Sequence, residues 1–242
     1  MVPEKQIDEF VSRLRQSAGE NLRSVILFGS AATGEYHRDF SNINLLCIVG
    51  ETSFPKLAAL ASDVAWWDKQ KHRAPLLMTH EELRRSSDVF SIELLDMQQR
   101  HRVLFGEDVL SGLKIPMHLH RAQVEYELRE KLILLRQNLL LVSANKKQLW
   151  DLLLRSVSAF ATLFRHALIA LGHPAPNSKR EAIEKLMLQI KFDPSAFFQL
   201  LDIREHKAEQ SKFDEKDVAS RYLDAIQKVT AAVDAMLDSP AR

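Results

Sequence analysis

Two pairs of residues carry the chemistry this sequence offers. Gly29 and Ser30 follow directly on the apolar run Ser24-Val25-Ile26-Leu27-Phe28. Asn42 and Asn44 open a second run that continues to Val49, with eleven residues between Ser30 and Asn42. A Gly-Ser turn presents bare backbone N–H groups and a hydroxyl, the donors a phosphate needs. A helix opening at that point adds favourable partial charge. Residues two apart on a strand project from one face, so the two asparagines are expected to stand together.

The order Phe28-Gly29-Ser30, loop, then Asn42-Ile43-Asn44-Leu45-Leu46 resembles the signature of the nucleotidyltransferase superfamily, which includes DNA polymerase β and the antibiotic nucleotidyltransferases. In that signature a strand ends in Gly-Ser and a later strand carries Asp-x-Asp. The resemblance covers residues 24–49 closely and residues 1–110 in layout, and Gly34 falls where many members have a glycine. It implies a nucleotide triphosphate or phosphate at Gly29 and Ser30, with Mg²⁺ on the paired acids. Such metals would activate the attacking hydroxyl and neutralise the leaving group.

Both acidic positions of the motif are asparagine here. An amide oxygen can coordinate a hard cation but carries no net charge, so two anions at roughly 2 Å from the ion are missing. The family often adds a third carboxylate from a neighbouring strand, and the candidate strand Ala74–Thr79 contains no acid. Asp39, three residues before Asn42 in the turn-rich segment, is the nearest acid that could approach the site. No catalytic residue, metal ligand or cofactor is therefore assigned, and Mg²⁺ enters only if the chain is active.

Other candidates have plainer readings. Glu81, Glu82, Asp88, Glu93 and Asp96 read as a solvated helix face. His118 and His120 lack further ligands at metal spacing and read as surface histidines. Trp66 and Trp67 end a helix, one in the core and one partly exposed. Cys47, the single cysteine, lies in the apolar run Leu45–Val49 and reads as a buried structural thiol. Arg155, Arg165 and His166 fall on an apolar helix, where they either meet an anionic ligand at an interdomain cleft or pair with acids of a neighbouring helix.

The elements that must position these residues follow from hydrophobic period. Residues 4–18 read as an amphipathic helix. Strands are expected at 24–28, 42–49, 76–78 and 103–105. One helix is expected over 53–71, with Leu57, Leu60, Ala61, Val64 and Trp67 on its inner face, and a short one begins behind the N-cap Thr79. After Pro116 the strand-like runs cease. Helices are expected at 119–142, 148–171, from Asn177 or Ser178 to Ile190, from Pro194 to about Arg204, and at 215–237. The second of these is the most apolar and is expected at the centre of a bundle. The fold class is thus α+β: a nucleotidyltransferase-like domain over 1–112 with a small mixed sheet, then an all-helical bundle over 117–242. The bundle resembles helical domains that accompany small nucleotidyltransferases. Some of those are ribonucleases using an arginine, four to six residues and a histidine. Arg155 and His166 are too far apart, and Arg165-His166 and Arg204-Glu205-His206 also fail that spacing, so no ribonuclease activity is assigned.

With 33 Lys and Arg against 32 Asp and Glu, the net charge of +1 gives no general attraction to nucleic acid or membrane. No apolar leader precedes residue 10 and no uncharged run reaches about 18 residues, so a cytoplasmic location is expected. Three readings of function stay open. The first is a degenerate nucleotidyltransferase that keeps nucleotide or phosphate binding as a regulatory module. The second is an active enzyme moving a nucleoside monophosphate to a small molecule, protein or RNA, with Asp39 or a downstream acid completing the metal site. The third is a structural partner protein that meets another protein or its own copy through the helical domain.

Overall fold

The computed structural model describes residues 2–32, 36 and 40–235. The chain divides into two compact units, Met1–His118 and Leu119–Arg242. The first is built around a four-stranded sheet. Its elements are α1 (Glu4–Ala18), β1 (Leu22–Phe28), β2 (Asn44–Val49), α2 (Phe54–Ala59), α3 (Ala61–Lys69), β3 (Leu76–Thr79), α4 (His80–Arg85), α5 (Ser91–Gln99) and β4 (His101–Gly106).

The strand order is β3-β2-β1-β4. β1 runs antiparallel to both β2 and β4, and β2 runs parallel to β3. This is a mixed sheet with helices on both faces. Alternation along the central strands feeds two cores. Val25, Leu27, Leu45, Cys47 and Val49 pack with Ile7, Phe10, Leu14 and Trp67 of α1 and α3. Ile26, Leu46 and Ile48 pack on the other side with Leu83, Leu94, Met97 and Leu110. Strands buried on both faces read as unbroken apolar runs, which is why their periodicity is invisible in the sequence. Burial pushes the Cys47 thiol up to about 12, so the cysteine is a packing residue.

The single helix expected over 53–71 is two. The chain breaks at Leu60, at φ −92° and ψ −7°, so that this leucine drops into the core while no residue of α2 is buried. Leu57 is exposed, and Asp63 takes a buried place on α3 beside Trp67. Thr79 caps α4 as expected: its hydroxyl accepts from the Glu82 N–H and the Glu82 carboxylate accepts from the Thr79 N–H. α5 carries Glu93 and Asp96, so the acidic scatter spans two helices and a turn rather than one face.

The second unit is all helical: α6 (His120–Val142), α7 (Lys146–Ala170), α8 (Lys179–Gln189), α9 (Ser195–Arg204) and α10 (Glu215–Ala235). α7 packs against all four of the others. By length and composition alone α7 could cross a membrane, but 61% of its apolar window is buried inside the unit, as befits a core helix. Ser178 caps α8 by accepting from the Glu181 N–H. Val218, Tyr222, Ala225, Ile226, Val229 and Val233 are the buried face of α10.

Candidate functional site

The site is assembled where β1 ends. Phe28, the last residue of that strand, pairs with Asn44 of β2 on one side and with His101 of β4 on the other. The backbone then turns at Gly29, at φ +75°, a conformation in which a side chain is strained. A one-turn 3₁₀ segment, Gly29–Ala32, follows, fixed by the buried Ala31. Ser30 is partly buried and engaged.

Asn44 stands directly against this turn. A Cβ built on Gly29 would lie 3.1 Å from the Asn44 Nδ2. Glycine is therefore favoured by the sign of φ, and a larger residue would also press on the Asn44 amide. Ile43 is 1% exposed and anchors the approach to β2. The strand expected from Asn42 begins only at Asn44, so Asn42 is exposed in the segment before it while Asn44, the strand's first residue, is partly buried. The parallel register of β2 and β3 sets the start of β3 at this same end, with Leu76 level with Leu46. β3 brings Leu76, Leu77, Met78 and Thr79, none of them acidic.

A divalent cation does not fit the donors described here. Two neutral amides replace the carboxylates that a hard cation requires. Among the described residues, no group of three or more His, Cys, Asp or Glu gathers to hold a metal. Asp39 and Gly34 lie outside the described residues.

His101 was not foreseen at this end of the sheet. Nothing in its sequence spacing marks it, because only the pairing of β1 with β4 brings it beside Phe28. Its ring is fully used. Nδ1 lies 2.9 Å from the Met97 carbonyl and Nε2 lies 3.0 Å from Asp108 Oδ1. Hydrogen bonds from the Ser111 hydroxyl, from His101 and from the Ser111 and Leu110 amides hold the Asp108 carboxyl well below the usual carboxylate range. This pair ties down the loop after β4.

The other sequence candidates lie apart from the site or fill structural roles. Trp67 is fully buried, stacked 4.4 Å from Phe10, and its Nε1 donates to the Arg73 carbonyl at 2.9 Å. Trp66 is partly exposed beneath the Arg13 guanidinium. His118 is exposed, but His120 is not the surface histidine expected. It is 1% exposed and lies 5.2 Å from the His166 ring, because it begins the buried face of α6. Arg155 is exposed, whereas Arg165 and His166 are buried and engaged within the structure.

Residues 5–135 match the nucleotidyltransferase domain family, a span of more than half of the chain. Among solved structures, a spectinomycin adenyltransferase from Enterococcus faecialis, determined with ATP and spectinomycin, is similar at 16% identity and a TM-score of 0.59. That match covers 96% of this chain and 99% of the other. A toxin–antitoxin structure with AMP-PNP matches over 44% of this chain and 75% of that one, at 20% identity and a TM-score of 0.30. No curated protein sequence matches.

Proposed function

The chain belongs to the nucleotidyltransferase domain family, and we propose that it is a member that binds nucleotide or phosphate without metal-dependent nucleotidyl transfer. On this reading Gly29 and Ser30 receive the phosphate and the domain acts as a binding or regulatory module. One observation supports it above the rest. The strand-end position facing the Gly29 turn is the neutral amide of Asn44, with Asn42 two residues before it and no acid on β3. Transfer chemistry of this kind rests mainly on metal electrostatics, and these residues supply none.

The test is pyrophosphate release from ATP, GTP, CTP and UTP with Mg²⁺ or Mn²⁺. The expected result is no release above the protein-free rate. Release that disappears in Asn44→Ala would establish the active alternative instead and direct attention to Asp39.

A second reading, a partner protein acting through the helical unit, has its own observation. On α6 the core face is Val124, Leu128, Leu132 and Leu135, yet Tyr126, Ile133, Leu140 and Leu141 on other faces are exposed. Tyr126, Ile133 and Leu140 recur at seven-residue spacing, the pattern of a helix that packs on two sides. On this reading the protein is a dimer by light scattering at micromolar concentration, and Ile133→Glu returns it to monomer. A monomeric wild type would remove self-association through α6.

A further inference from the structure

Resting on the proposed phosphate site at Gly29 and Ser30, we infer that Asn42 and Asn44 hold the phosphate directly through their amide N–H groups. The ligand is then a magnesium-free nucleotide phosphate rather than a metal chelate.

Three observations lead there. Both amides are uncommitted: among the described residues neither side chain makes a hydrogen bond. Asn44 lies in contact range of Gly29, and Asn42, two residues earlier in the segment that leads into β2, is exposed. And the change from carboxylate to amide alters what the position does to an anion. A carboxylate accepts only, and it repels a phosphate unless a cation stands between them. An amide donates two N–H bonds to the same oxygens and brings no opposing charge. The substitution that removes a metal site thus leaves a site for the bare anion.

Magnesium then acts against binding. Mg²⁺ on a triphosphate occupies the oxygens that the amides would take, and it meets no carboxylate to complete its shell. A nucleoside monophosphate holds the metal weakly and escapes this competition.

The experiment is calorimetric titration of the full chain with ATP and with AMP, in EDTA and in excess Mg²⁺. Wild type, Asn42→Ala and the Asn42→Asp/Asn44→Asp double variant are compared, with circular dichroism confirming the fold. Wild type is expected to bind ATP about tenfold more weakly once Mg²⁺ is added, the scale of one charge-assisted hydrogen bond, and to bind AMP equally in both buffers. Asn42→Ala, at an exposed position that leaves packing intact, is expected to lose about tenfold in EDTA for both nucleotides. The double variant is expected to reverse the order, binding ATP only with Mg²⁺.

Mg²⁺-strengthened ATP binding by the wild type would overturn the inference. With no pyrophosphate release, it would leave the non-catalytic reading standing. Unchanged binding by Asn42→Ala would equally overturn the inference, which places both amides on the phosphate. No binding of either nucleotide in either buffer would overturn both this inference and the binding role proposed for Gly29 and Ser30.

Discussion

Replacing Gly106 by alanine is expected to destabilise the protein by about 3–5 kcal/mol, the sum of a strained backbone and an overpacked contact. Gly106 closes β4 at φ +78°. An added Cβ would stand 1.9 Å from the Arg23 carbonyl oxygen and 2.9 Å from the Arg23 carbonyl carbon and the Ser24 Cα. All three are backbone atoms of the central strand, held on its other edge by β2, so they cannot swing aside as a side chain can. Ser24 closes the remaining freedom. It is fully buried, and its hydroxyl lies 3.1 Å from the Phe105 carbonyl and 2.7 Å from the Glu107 carbonyl, on both sides of the glycine. Relief therefore requires unpairing the end of β4. Against a total stability of about 5–15 kcal/mol, that loss should appear as a large drop in the urea midpoint or as insoluble protein. Gly29→Ala makes the comparison. Its φ is similar, but its contact is the end of the Asn44 side chain, and its expected cost is about 1–2 kcal/mol. Equal costs at the two glycines would mean that Gly106 does not pair with Ser24 in the β1–β4 register.

The same backbone logic explains how much of the molecule is legible in the sequence. The four strands are legible because each is a compact apolar run, and the Gly-Ser turn because it ends one of them. β1 begins at Leu22 rather than Ser24, since Leu22 pairs with Val49 although the exposed Arg23 interrupts the apolar run. The break at Leu60 leaves no mark, for neither Gly nor Pro stands there and the cause is a core position that only the fold creates. His120 looks like a polar residue near a domain boundary, and it is buried because a ring 46 positions later lies beside it. The spacing predicts both asparagines on one strand face, but β2 begins at Asn44 and leaves Asn42 in the segment before it. The contact of Asn44 with Gly29 cannot be read from spacing, because that depends on Phe28 pairing with Asn44 across the ladder. His101 is invisible for the same reason on the other edge. Local spacing reports which residues share a face, and register between strands decides which of them meet.

Tyr222→Ala is expected to cost about 3–5 kcal/mol, as for other large aromatic truncations in a core, whereas Tyr222→Phe should cost only about 1 kcal/mol. Tyr222 is fully buried on α10. Its ring lies 4.7 Å from Phe197 of α9 and 5.9 Å, edge-on, from Phe160 of α7, so one side chain joins three helices. Its hydroxyl adds a single bond, 3.0 Å to Ser156 Oγ. Ser156 Oγ keeps the Leu153 carbonyl at 3.1 Å as a second partner, so removing the phenol oxygen does not orphan it. The two variants also differ with pH. Burial raises the phenol above its ordinary value of 10.0. Above that pH the unfolded chain releases the proton and the folded chain keeps it, so stability from this group falls by up to about 1.4 kcal/mol per pH unit. Tyr222→Phe has no such proton. The difference in stability between wild type and Tyr222→Phe should therefore be constant from pH 7 to 9 and shrink as pH rises beyond 10. A difference that stayed constant to pH 11 would show that the phenol ionises as readily in the folded protein as in the unfolded chain, which its place between α7, α9 and α10 does not allow.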